Sequence, residues 1–135
     1  MGMSPSSWRL LKRLKHGNHV DQLALTPKAC WDTEQNGEIL VGKISEIIPR
    51  FWEKGALLIF VGSIAAVLRS IHPYVSNKNQ DPAVVVLDGL GNYVVPILGA
   101  HQSGGNALAL ELASSLGAVP ILTGNTTTQD CLALD

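Results

Sequence analysis

Hydrophobic positions along this chain recur with two different periods, and each change of period marks a new element. Strand-like runs stand at residues 22–25, stopped by Thr26-Pro27, and at residues 38–41, which follow the Asn36-Gly37 turn signal. Ile44, Ile47, Ile48, Phe51 and Trp52 then recur at helical spacing, which predicts an amphipathic helix over residues 43–54. Pro49 falls inside it. With Ser45 as the N-cap, Pro49 would sit at the end of the first turn, where a missing N–H costs least. After Gly55, residues 56–61 form a continuous apolar run suited to a central parallel strand. Residues 64–70 read as a helix closed by Pro73. Residues 83–88 are dense in β-branched side chains and predict a strand, followed by a Gly89-Leu-Gly-Asn92 hairpin turn and a returning strand over 93–98. Leu108, Leu112 and Leu116 stack at i, i+4 and i+8, marking a helix over 104–116 capped by Gly117, and residues 119–122 form the last strand.

Strands alternating with helices, with one hairpin among them, predict an α/β fold. The expected sheet is mixed and mostly parallel with helices on both faces, a Rossmann-like three-layer arrangement. Residues 21–135 are expected to form a single α/β domain. Residues 1–20 differ: Arg9, Lys12, Arg13 and Lys15 precede the first acid, Asp21, so this stretch reads as a flexible basic N-terminal tail. Trp8, Leu11 and Lys15 on one face of a short helix give the alternative, an amphipathic docking segment.

Composition narrows the function classes. The chain has 135 residues, 46% of them hydrophobic and only 16% charged, a shortfall of charge that points to some surface being covered by a partner or a second domain. A net charge of −1 argues against a general nucleic-acid binder. The longest apolar run, residues 56–68, is broken only by Gly62 and Ser63 and is too short to span a bilayer, and the basic N-terminus lacks the apolar stretch of a signal peptide. A cytoplasmic protein is expected, which suits two distant thiols, Cys30 and Cys131, that form no CxxC pair.

Candidate chemistry gathers in a few places. Gly99-Ala-His-Gln-Ser-Gly-Gly-Asn106 follows a strand and opens a helix, where main-chain N–H groups and the helix dipole favour an anion. A tight strand-to-helix turn that binds nothing is the other reading. His101 within it is a candidate general base or acid, or a hydrogen-bond donor to a carboxylate; a structural imidazole is the alternative. Arg69 and Lys78 flank the loop containing Pro73 and are candidate carboxylate ligands. Asp81 either caps a turn before Pro82 or orients Lys78. Asp88 ends a strand, or begins the hairpin turn. His16 and His19 have no third ligand near them in sequence, and no metal site is expected.

Read in order, these segments resemble one family. Lys78-Asn-Gln-Asp-Pro-Ala-Val-Val-Val86 is similar to the Lys-x-x-Asp-Pro-Ala-Val-Val-Val segment of CbiG-type proteins, the cobalt-precorrin-5A hydrolases. The loop around His101 resembles their Ser-Gly-His-x-Gly-Gly-Ala-Asn, and Leu116-Gly-Ala-Val-Pro-Ile-Leu-Thr123 resembles the stretch that follows. Phe60-Val-Gly and Arg69-Ser-Ile-His-Pro73 look like an earlier family stretch, and residues 23–28 like its opening strand and turn. Ala65, Ala100 and Ser103 stand where the family usually has glycine, and Gly124-Asn125 replaces its usual Thr-Ala.

The resemblance implies an N-terminal-type domain that contributes to opening the δ-lactone of cobalt-precorrin-5A with release of acetaldehyde. It implies His101 as the catalytic residue and Arg69, Lys78, Asp81, Gly104, Gly105 and Asn106 as substrate-binding residues. No resident cofactor is implied, because cobalt comes with the substrate. The implied partners are a cobalt-containing corrinoid precursor and a C-terminal-type domain or another enzyme of the pathway, with no nucleic acid and no membrane. Two alternatives remain open: a non-catalytic corrinoid-binding module, and an unrelated anion- or nucleotide-binding α/β domain. The second lacks both GxGxxG and GxxxxGK[ST].

Overall fold

A computed structural model describes residues 1–3, 7–16, 23–25 and 39–124. In chain order its elements are α1 (Ser7–His16), β1 (Leu23–Leu25), β2 (Ile39–Val41), α2 (Ile44–Phe51), β3 (Leu57–Val61) and α3 (Ile64–Ile71). A single 3₁₀ turn (His72–Tyr74) follows, then β4 (Ala83–Leu87), β5 (Tyr93–Leu98), α4 (Gly105–Leu116) and β6 (Val119–Pro120).

The main sheet has the order β3-β4-β5-β6. β3 runs parallel to β4, β5 returns antiparallel to β4, and β6 runs parallel to β5. β1 and β2 pair in parallel beside it. Helices cover both faces, so the expected mixed α/β sheet in three layers is what the chain forms.

The apolar run of β4 explains the layering. All five of its residues are buried. Val85 and Leu87 point into a core with Val61, Val94 and the inner faces of α1 and α4. Val84 and Val86 point the other way, to Phe60 and to Ile48, Val67 and Ile71 from α2 and α3. A strand buried on both faces reads as a continuous hydrophobic run rather than an alternation, as this one does. Each such side chain contributes about 1.5–3 kcal/mol on burial.

The segment expected as a flexible tail departs from that reading. Leu10, Leu11 and Leu14 of α1 are all buried in the α4-side core, Leu14 completely. Their i, i+1, i+4 spacing makes one apolar stripe, which holds the helix on the sheet while Arg9, Lys12 and Arg13 stay exposed. Ahead of α1, the Val61 N–H donates to Met1 O and the Met3 N–H to Val61 O, while the Gly2 N–H donates to Ala24 O. Residues 1–3 thereby bridge β1 to β3. Residues 4–6 and 17–20, His19 and both cysteines lie outside the described residues.

Two helix boundaries also differ from the expectation. α2 is capped at Lys43, not Ser45, so Pro49 is the helix's sixth residue rather than part of its first turn. α3 begins at Ser63, whose hydroxyl accepts from the Ala66 N–H at 3.2 Å, and it runs on into the 3₁₀ turn that Pro73 helps to form. No helix among the described residues is long and apolar enough to cross a membrane.

Candidate functional site

Strand direction decides where the candidate residues meet. β5 pairs antiparallel with β4, with Leu98 opposite Val84, so the chain leaves β5 at the end of the sheet where β4 begins. That end receives the loop of residues 75–82 as well. The two segments pack directly on each other: a Cβ built on Gly99 would lie 2.9 Å from Ala83 Cα and 3.1 Å from Pro82 O. The backbone approach is close enough that only glycine fits, and Gly99 also holds a left-handed φ of +63°.

The loop after β5 is closed by its own main chain. Gly99 O accepts from the N–H groups of Ser103 (3.3 Å) and Gly105 (3.1 Å), and Ala100 O accepts from the Asn106 N–H at 2.7 Å. Gly104 takes φ +85° at the helix N-cap, without a side-chain cap. The N–H groups of Gly105 and Asn106 are therefore taken up inside the loop. This departs from the expectation that the first N–H groups of α4 would face an anion. Gly105 is buried, and Asn106 is partly buried. His101 stands exposed on the outside of this loop, with Gln102 beside it.

Asp81 differs from its expected place as a substrate contact. It is 3% exposed, and its carboxylate accepts from the Ser76 N–H through both oxygens and from Ser76 Oγ through Oδ1, each at 3.0 Å. The carboxylate thus ties down the 75–82 loop. Ser76 is not among the residues the sequence singles out, and nothing in its local pattern marks it except a position five residues before an Asp-Pro. Lys78 lies exposed in the same loop, and Arg69 lies exposed in the last turn of α3. His101, Lys78 and Asp81 share the end of the sheet where β4 begins. Arg69 approaches that end as α3 returns from the far ends of the strands.

Asp88 takes the structural role left open for it. Its Oδ1 accepts from the N–H groups of Asn92 and Tyr93, both at 2.7 Å, and its Oδ2 from Leu90 N–H at 3.3 Å. The carboxylate builds the hairpin turn. Where β3 and β4 end, opposite the His101 loop, a cavity of about 480 Å³ is lined by Met3, Gly62, Ser63, Ala66, Asp88 and Gly89. Among the described residues no cluster of three or more His, Cys, Asp or Glu side chains is arranged to hold a metal ion.

Comparison with known proteins places this geometry in a family. The family model described as cobalamin synthesis G N-terminal matches residues 46–127. A cobalt-precorrin-5A hydrolase from Priestia megaterium is 36% identical over 104 residues, covering 77% of this chain and 28% of that protein. One from Salmonella typhimurium is 34% identical over 137 residues, covering 98% of this chain and 37% of that protein. The crystal structure of a cobalamin biosynthesis protein G homolog from Sulfolobus solfataricus superposes with a TM-score of 0.64 at 25% identity, covering 90% of this chain and 35% of the other. The chain therefore spans between about a quarter and two-fifths of the length of the relatives it matches. Both segments that meet at Gly99 fall inside the matched region, and the chain belongs to the cobalamin synthesis G N-terminal family.

Proposed function

We propose that this chain acts in the cytoplasm in cobalamin biosynthesis, as the N-terminal-type domain of a cobalt-precorrin-5A hydrolase. It contributes to opening the δ-lactone of that substrate, after which a two-carbon fragment leaves as acetaldehyde. The packing of Gly99 on Pro82 and Ala83 carries this reading, because it joins the Lys78–Val86 segment and the His101 loop at one end of the sheet.

At that end His101 is the group suited to move a proton. An exposed imidazole on a loop held by three main-chain hydrogen bonds can take a proton from water as it attacks the lactone carbonyl. Arg69 and Lys78 are exposed cations suited to the acetate and propionate groups of the macrocycle. Asp81 supports Lys78 indirectly, by fixing the loop that carries it. Cobalt arrives on the substrate, and no resident cofactor enters the scheme.

The test is acetaldehyde release from cobalt-precorrin-5A by this chain, alone and joined to the remainder of a relative. Turnover that disappears in His101→Ala supports the assignment. Unchanged turnover in that variant removes His101 from the chemistry.

One observation favours a second reading, corrinoid binding without turnover. The N–H groups of Gly105 and Asn106 are engaged within the loop and are not aimed at a developing oxyanion. On that reading the macrocycle's absorption spectrum shifts on mixing, and no acetaldehyde forms even with the remainder present.

A further inference from the structure

The two faces of the sheet are covered unequally. α1 and α4 pack over one face, with α4 reaching across β5 and β6. On the other face α2 and α3 cover Phe60, Val84 and Val86 of β3 and β4. Over the β5–β6 half of that face, no helix packs among the described residues. Val95 lies opposite Val86 and so shares its face, and Tyr93 follows by the two-residue period. Tyr93 pairs with Val119, and the Ile121 N–H continues the ladder to Val94 O. Tyr93, Val119 and Ile121 are 49%, 55% and 39% exposed. With half-buried Val95 and Ile97 they form an apolar strip two strands wide and about 14 Å long.

The edge beside this strip is poorly suited to pairing with another strand. The N–H groups of Val119 and Ile121 are directed to β5, which leaves the intervening Pro120 facing outward with no N–H to offer. An occupant is therefore held by side chains on the face rather than by main-chain addition at the edge.

The chain itself points to the occupant. It leaves the sheet from this strip, through Ile121 to Gly124, and the relatives have well over half of their length outside the matched stretch. A module joined near Gly124 is held at high effective concentration over the strip. We infer that the β5–β6 strip of Tyr93, Val119 and Ile121 is the docking face for the portion of a cobalt-precorrin-5A hydrolase that lies outside the stretch matched by this chain. The strip is the apolar centre of such an interface, and polar rim contacts surround it. The inference rests on family membership and not on any role for His101.

Hydroxyl-radical footprinting tests it. Tyr93 labelling in the 135-residue chain alone is compared with labelling in a chimera, in which this chain replaces the matched stretch of the Salmonella typhimurium hydrolase. Tyr93 labelling is expected to fall at least roughly fivefold in the chimera while Tyr74 labelling stays the same, and Val119→Glu in the chimera restores it. Equal labelling of Tyr93 in both proteins overturns the inference, as does protection of Tyr93 in the chain alone that grows with concentration through a second copy. Should the chimera not fold, the chain is co-expressed with the remainder as a separate polypeptide. A one-to-one complex lost in Val119→Glu supports the docking face. No complex, or one indifferent to Val119→Glu, overturns it.

Discussion

The Tyr74 hydroxyl donates at 3.2 Å to the main-chain oxygen of Ser45, the carbonyl that Pro49 leaves without a helical partner. In an α-helix that oxygen would accept from the residue four positions on, and proline has no N–H to give. The phenol reaches it from the 3₁₀ turn after α3, with its ring 6.0 Å from that of Trp52. One hydrogen bond thus repairs α2 and ties it to the segment that follows α3.

Tyr74→Phe is expected to lower stability by about 0.5–1.5 kcal/mol in urea unfolding. In a Pro49→Ala background the same change should cost less, because alanine at that position supplies the missing N–H. A double-mutant cycle with no coupling between the two positions would show that the hydroxyl is not compensating for the proline.

Leu14→Ala should cost about 2–5 kcal/mol, as for a fully buried leucine. Were residues 7–16 a solvated tail, the substitution would leave the denaturation midpoint within error. Chemical denaturation monitored by circular dichroism separates the two.

Two glycines of one loop should respond differently to alanine. Gly104, at φ +85° with its nearest neighbour 3.9 Å from the added carbon, faces only conformational strain, about 1–2 kcal/mol. Gly99 combines that strain with contacts of 2.9 Å to Ala83 Cα and Ser103 Cβ, so Gly99→Ala should cost about 2–5 kcal/mol. Equal losses in thermal melts would mean the two segments are not packed as closely as described.

Asp81→Ala leaves the Ser76 N–H and hydroxyl without their acceptor and should cost about 1–3 kcal/mol. Faster hydrogen exchange confined to residues 75–82 is the accompanying sign. Exchange that stays unchanged there would argue that other contacts hold the loop.

His101→Ala, on an exposed position, should change stability by no more than about 0.5 kcal/mol. Any loss of turnover in that variant would then be read as chemistry rather than unfolding, with the melting temperature as the control.

The run of Val84, Val85 and Val86 and the leucine stack of α4 make the sheet and its last helix legible, because burial on two faces and on one stripe leave different periods. α1 is harder to place. Leu10, Leu11 and Leu14 make a short stripe among four cations, and what anchors it is tertiary contact with Val61 and Leu87 far along the chain. Pro49 is visible as an irregularity, but its remedy from Tyr74 is a long-range contact without a local signature. At the site, the glycines and His101 are legible as a loop between strand and helix. That Gly105 and Asn106 donate inward, and that Asp81 serves Ser76, depends on how the loops fold back on themselves.

The hairpin at Asp88 has a reach beyond its own turn. Its carboxylate fixes where β5 begins, and the six residues of β5 then act as a spacer of set length between that turn and Gly99. A residue added to the turn without disturbing the pairing would only lengthen an exposed tip. A residue added within β5 would displace the His101 loop by about 3.4 Å and send its following side chains to the opposite face. The height at which His101 stands over the beginning of β4 is thus measured from the far end of the sheet, by a carboxylate that never approaches it.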